Sequence, residues 1–363
     1  MKILILPSIR LDSGTGLRLI GLADSLAELG HDVCLAGPGL QGKLKHARYV
    51  EIKKRCGIKK IIFSTFSNIR LLKKMESDVI IASKAHPVSC IPAIIAGGRA
   101  KKILDFDDLE HAYWKNPLKR AFLKTMEKIL PDFFDYITTH NEDLKAYLIE
   151  NVGVPERKIL LLPQGIDAKM FRKEKTGLSK KLGLEKKKTV LYAAHLGPAA
   201  ADLGVVFEAI KNLRDRATLL VIGDGIKLRY YKNLAREMGL DNVVFTGHVK
   251  HEAMPQYLSI ADAAVNFMRS SPANRCRASI KVREYLAFGL PTVCNIVGSD
   301  LKIFEEYVYP FRENDMRSFE KALLDALEDR AQKAGKAKNY MQRWDWGTIA
   351  KAFEKQLEAI VKS

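Results

Sequence analysis

Short apolar runs alternate with amphipathic ones along the whole chain. "KILILP" is an apolar run of strand length, followed by the loop "SIRLDSGTG". In "LRLIGLADSLAELG", Leu19, Leu22, Leu26 and Leu29 recur at helical spacing, and Gly30 stands where a helix end favours a left-handed residue. "DVCLAG" then reads as a second strand. "DVIIAS", "KKILDF", "YITTH" and "KILLLP" are apolar enough to be buried on both faces, as strands of a parallel sheet are. The pattern restarts with "KTVLYAA", "TLLVIGDG", "NVVFTG", "AAVNF" and "PTVCNIV", again separated by helical segments. This βα repetition in two halves predicts an α/β protein of two doubly wound domains. The charged stretch "AKMFRKEKTGLSKKLGLEKKK" marks the seam, giving domains over 1–170 and 171–345. Residues 346–363 form an amphipathic segment with Ile349, Phe353, Leu357 and Ile360 on one stripe, predicted to pack back as a last helix. No short-period repeat interrupts the pattern.

Composition narrows the class. The 363 residues suffice for two domains, and no apolar run is long enough for a membrane-spanning helix. The N-terminal apolar run is too short for a signal peptide and reads as a core strand. Five cysteines (Cys34, Cys56, Cys90, Cys276 and Cys294) show no CxxC spacing, which argues against a disulfide framework or zinc site and for a reducing cytoplasm. The net charge of +18 calls for an anionic partner. It is concentrated between Leu40 and Met75, where 11 Lys/Arg face the single acid Glu51. Aromatics are too few there for base stacking, so no nucleic acid is expected. An anionic membrane surface fits, and a merely solvated basic face is the alternative; within the segment, residues 61–63 can be either a buried strand or an insertion surface.

Four strand ends carry candidate chemistry. In "SIRLDSGTGLR", Gly14 and Gly16 precede a helix and let backbone amides approach an anion or a sugar, although Ser13-Gly14 can also be a simple turn. "SKAHP" offers Lys84 and His86. "DFDDLEH" offers Asp105, Asp107, Asp108, Glu110 and His111, a set suited to hydroxyl binding or proton transfer, with no second ligand cluster for a metal. The fourth end is "SPANRCRASIKVREYLAFG". Ser279 is a natural N-cap, and Arg275, Arg277 and Lys281 lie close to that helix start. Cations there oppose the helix dipole unless an anion is bound, so the placement points to phosphate. Glu284 is either a ribose ligand or the partner of Lys281 or Arg283 in an ion pair.

"SIKVREYLAFGLPTV" resembles the donor-site helix of the retaining glycosyltransferases of family 4, which have the GT-B fold. "LLPQGIDAKMF" is similar to the segment that closes their N-terminal domain. "LLVIGDG" with Gly223, "NVVFTGHV" and "YLSIADAAVNF" follow in the family's order. The resemblance covers essentially the whole chain. It implies two Rossmann-like domains with an interdomain cleft, a nucleotide diphosphate sugar on the C-terminal domain and the acceptor on the N-terminal one. It implies no metal and no cofactor beyond the co-substrate. Glu284 matches the second glutamate of the family's E-x7-E motif, which holds the ribose, and a strand-end histidine that contacts the sugar falls on His111, with His86 as competitor.

Two departures stand out. The first glutamate of E-x7-E falls on Cys276. The Arg and Lys that usually grip the diphosphate fall near His195 and on Leu203, so Arg275, Arg277 or Lys281 would have to substitute. The expected function is a cytoplasmic, peripheral, metal-independent hexosyl transferase acting with retention on a lipid-linked or polysaccharide acceptor. The alternative is a weak or inactive GT-B module that serves as a scaffold.

Overall fold

The computed structural model describes residues 1–363 apart from 41, 53–57, 198–202, 330–331 and 363. Cys56, Lys53 and Lys54 therefore lie outside the described residues. The chain forms two compact units: Met1–Ile166 with Cys276–Ala278 and Trp344–Ser363, and Asp167–Arg275 with Ser279–Arg343.

The first unit is built on seven parallel strands: β1 (Lys2–Leu6), β2 (Asp32–Gly37), β3 (Arg48–Glu51), β4 (Val79–Ser83), β5 (Lys101–Asp105), β6 (Tyr136–Thr139) and β7 (Ile159–Leu161). Their order is β3-β2-β1-β4-β5-β6-β7. Strand side chains alternate between faces. Leu4, Leu6, Ile80 and Leu104 pack with Leu72 of α2 (Ile58–Leu72), Cys90 and Ala93 of α3 (Pro87–Ala96), and Met126 of α4 (Pro117–Ile129). Ile3, Ile5, Val33 and Ile103 face the other way, against Leu19, Leu22 and Leu26 of α1 (Gly14–Glu28).

The second unit has six parallel strands: β8 (Lys188–Ala193), β9 (Ala217–Ile222), β10 (Val243–Gly247), β11 (Ala263–Asn266), β12 (Thr292–Cys294) and β13 (Tyr309–Pro310). Their order is β10-β9-β8-β11-β12-β13. Its core joins Val190, Leu219, Val221 and Val265 to Leu203, Val206 and Phe207 of α5 (Leu203–Lys211). α6 (Ile280–Phe288) runs from the Ser279 cap to Gly289, whose φ of 82° ends it in the left-handed region that glycine adopts without strain.

Residues 61–63 are not a buried strand. They lie inside α2, which buries Ser64 and Asn68 and exposes Ile62 and Phe66. Asn68 donates its side-chain amide to Val88 O of α3 at 2.8 Å, so a buried hydrogen bond joins the apolar burial of Leu72 in seating this helix. The C-terminal helix α7 (Trp346–Lys362) places Ile349, Phe353 and Leu357 in the same core as α1. The Trp346 indole packs closely against two glycines. A Cβ on Gly21 would sit 2.1 Å from its indole, and one on Gly165 would sit 2.6 Å away.

Candidate active site

Open parallel sheets gather ligands at the carboxyl ends of the strands where the order reverses. In the first unit β1 stands at that point, between β2 and β4. The chain leaves β1, and Ser13 caps α1, its Oγ accepting from Gly16 N at 3.2 Å. Any Cβ on Gly16 would meet Leu11 O at 2.2 Å, so the turn demands glycine; Gly14 is exposed at the helix start. Thr15 donates its hydroxyl to Asp107. Arg18, one turn on, is fully buried and reaches Asp105 Oδ1 at 3.0 Å and Leu162 O at 2.8 Å. This pair ties α1 to the ends of β5 and β7; its role is architectural.

Lys84 follows β4 with a left-handed backbone, φ 61°. Its buried ammonium faces Asp107 Oδ2 at 3.5 Å and Asp108 Oδ2 at 3.3 Å, and donates to Glu110. Burial opposes its charge, but Asp108, Glu110 and Asp107 outweigh burial and hold its pKa well above the ordinary lysine value. Burial likewise opposes ionisation of Asp107, yet Lys84, His140 and Arg18 bring it down to about 2. Asp108 goes the other way. Burial foremost, aided by Asp107, pushes it up despite Lys84 and Arg277, and it accepts from Tyr113 OH at 3.0 Å. Two adjacent carboxylates thus differ in proton affinity, a division of labour suited to acid–base work.

His111 stands apart from that cluster. Its Nδ1 lies 2.5 Å from Glu127 Oε2, and its backbone amide donates to Glu127 Oε1 at 3.0 Å. Glu127 is buried on α4, and burial pushes its carboxyl up against the lowering effect of His111. The paired Nδ1 fixes the ring and leaves Nε2 as the chemically distinct edge. The competitor His86 instead caps α3, its Nδ1 accepting from Val88 N at 3.3 Å. His140 follows β6, with Nε2 2.9 Å from Cys276 O. Arg277 belongs to this unit, its guanidinium 5.6 Å from the Tyr113 ring centroid.

The second unit assembles a different constellation. Glu284 is buried on α6 and meets His251 Nε2 at 2.6 Å. Burial lowers the His251 pKa, but hydrogen bonding and attraction by Glu284 win and raise it above its ordinary 6.5. Arg283 is not the ion-pair partner of Glu284. Arg283 is fully buried and pairs with Asp300 at 2.9 and 2.6 Å. Asp300 also accepts from Ser279 N at 3.0 Å, and Ser279 Oγ accepts from Val282 N at 3.4 Å. Gly298 comes close enough to this loop that a Cβ would meet Arg275 O at 2.4 Å. Lys281 is half-buried at the helix start, and Arg275 is exposed.

At the β8 switch point His195 is exposed, while 198–202 lie outside the described residues. Leu203 is fully buried in the core, so that position offers no grip on a phosphate. Gly223 ends β9 with φ 141°, and a Cβ there would sit 1.8 Å from Ala194 O. Sequence reasoning singled out Glu284, Ser279, Gly16 and the "DFDDLEH" acids. It missed Glu127, His140, His251 and Asp300. Among the described residues no group of three His, Cys, Asp or Glu side chains is placed to hold a metal ion.

Two parallel α/β units, each with polar side chains gathered at its switch point, define a GT-B protein. The chain belongs to the group 1 glycosyltransferases: the model for Glycosyltransferase Family 4 matches residues 13–169, and that for Glycosyl transferases group 1 matches 174–344. A chitobiosyldiphosphodolichol beta-mannosyltransferase of Debaryomyces hansenii is 22% identical over 269 residues, 65% of this chain and 56% of that protein. The chain spans about half the length of the first curated relatives it matches, 49% and 56%. Sucrose-phosphate synthase from Thermosynechococcus elongatus has the same fold, with a TM-score of 0.81 at 17% identity, covering 99% of both chains. So does HepE from Anabaena, solved in complex with UDP, with a TM-score of 0.75 at 18% identity over 99% of this chain and 100% of that one.

Proposed function

We propose that this protein transfers a hexosyl group, with retention, from a nucleotide diphosphate sugar to a lipid-linked or envelope glycan acceptor. The observation that carries the reading is Glu284, buried midway along α6 and oriented by His251 at 2.6 Å. A carboxylate fixed in this way accepts two hydrogen bonds from a diol such as ribose. We assign the diphosphate to the first-turn amides of α6, one turn before Glu284, with Ser279, Lys281 and Arg275 in support. These groups stabilise the departing diphosphate electrostatically, a task that needs no metal. HepE has been solved with UDP-glucose, and the Debaryomyces relative is named for a diphosphodolichol-linked substrate; both fit this donor and acceptor chemistry.

In the first unit, His111 presents Nε2 to the transferred sugar while Glu127 holds the ring. Asp107 stays ionised and Asp108 is the better proton acceptor for an acceptor hydroxyl. The protein works at the cytoplasmic face of a membrane, drawn there by the basic segment 43–74. A second reading, a weak or inactive module acting as a scaffold, draws on buried Leu203 and buried Cys276 at the positions of the usual lysine and first glutamate.

Calorimetric titration separates the two. Glu284→Gln should weaken UDP binding about tenfold while leaving inorganic pyrophosphate binding nearly unchanged. Equal losses for both ligands would make Glu284 a structural partner of His251. No binding of any nucleoside diphosphate by the unaltered protein would favour the scaffold.

A further inference from the structure

α4 turns its apolar side chains outward. Leu123 and Glu127 face the interior, and Leu118, Phe122 and Ile129 form a stripe on the outer side, 82%, 44% and 47% exposed. Trp114 just before the helix and Phe133 just after it are 42% and 55% exposed. Of 14 large hydrophobic side chains exposed among the described residues, five fall in this stretch of 20, a clustering that isolated surface residues do not produce. The charge around the stripe is one-sided. Lys115, Lys119, Arg120, Lys124 and Lys128 are all exposed, whereas Glu127 is turned inward to His111 and Asp132 is the one exposed acid between 114 and 133. On a helical projection the stripe is bordered by Lys119 on one flank and by Lys124 and Lys128 on the other. The Lys119 ammonium lies over the Trp114 ring, joining the apolar and cationic parts.

We propose that α4 is an in-plane membrane anchor: the Trp114, Leu118, Phe122 and Ile129 side chains enter the headgroup–acyl boundary of an anionic bilayer, and the flanking lysines and Arg120 bind lipid phosphates. An apolar stripe between rows of cations matches that boundary, apolar below and anionic above, where an aqueous partner would match only one of the two. The anchor has a chemical consequence that rests on the function proposed above. The inner face of the same helix carries Glu127, which holds His111, so docking sets the candidate catalytic histidine one helix diameter, about 10 Å, below the lipid surface. An acceptor sugar carried on a membrane lipid would then be within reach.

The test uses the full chain with vesicles of phosphatidylcholine, with and without phosphatidylglycerol. The unaltered protein should bind the anionic vesicles, and brominated lipids should quench its tryptophan emission, with that quenching lost in Trp114→Phe. Leu118→Gln/Phe122→Gln should lower the partition coefficient about tenfold or more, with circular dichroism and thermal unfolding unchanged. Vesicle binding unaltered in this double variant would overturn the anchor. If replacing the lysines of 43–74 then released the protein, membrane attraction would stand without α4. A dimer in solution that the double variant converts to monomer, with no vesicle binding, would also overturn it and assign the stripe to self-association. Activity toward a water-soluble acceptor reports on the proposed transfer independently of either result.

Discussion

Lys84 shows how the first unit's site is held. A lysine with φ 61° occupies backbone space that side chains other than glycine adopt rarely, and the three surrounding carboxylates keep it there. Removing one partner from a buried ionic cluster leaves charge uncompensated, so Lys84→Met should cost about 3–5 kcal/mol in denaturant unfolding. The pH dependence has a definite sign. Asp107 sits at about 2 when folded, below its ordinary 3.8, so its contribution is fully present above that ordinary value and is lost as pH falls toward 2. Asp107→Asn should flatten the acid limb of stability in that window; an unchanged limb would remove Asp107 from the cluster's electrostatics. His251 runs the other way. Its raised pKa makes the pairing with Glu284 stabilising below 6.5 and weaker as pH climbs through the raised value. Glu284, Ser279 and Gly16 were legible in the sequence because each lies in a short local pattern. Glu127, His251 and His140 were not, because their partners stand 16, 33 and 136 residues away.

At the scale of elements, the contact of α1 with α7 is decided by Trp346. Alanine in place of a helix-interior glycine ordinarily stabilises by about 1 kcal/mol. At Gly21 the added Cβ would lie 2.1 Å from the indole, and the overpacking, typically about 1–3 kcal/mol, outweighs the helix gain. Gly21→Ala should therefore lower stability and alter the near-ultraviolet tryptophan signal; a more stable variant would mean the indole moves aside freely. The same contact explains Gly165 in "PQGID", which needs room for a ring and not a left-handed backbone. Most strands were readable because parallel strands buried on both faces are continuous apolar runs. β3 and α2 were not. "RYVE" is short and half-exposed, and α2 blurs the usual pattern by burying Ser64 and Asn68 along with Leu72 while Ile62 and Phe66 face out.

At the scale of the whole molecule, the charge is the most visible sequence feature and the least localised. The 60 Lys/Arg against 42 Asp/Glu set up attraction to anions in general. The two units assign that attraction to distinct chemistry. Arg277 feels the acids Asp107 and Asp108 of the first, Arg283 is consumed by Asp300 in the second, and Lys281 lies in the first turn of α6. Family membership follows from the order of motifs, which two family models cover over 13–169 and 174–344. Leu203, where the resemblance places the family's phosphate-gripping lysine, is fully buried in the core and offers a phosphate no donor. The measurement that tests the account most directly is turnover of a panel of nucleotide diphosphate sugars, with release of the nucleoside diphosphate followed for the unaltered protein, Glu284→Gln and His111→Ala. The account predicts turnover of at least one donor, a raised KM in Glu284→Gln, and a lowered kcat with little change in donor affinity in His111→Ala. No release from any donor, or full activity in both variants, would contradict it.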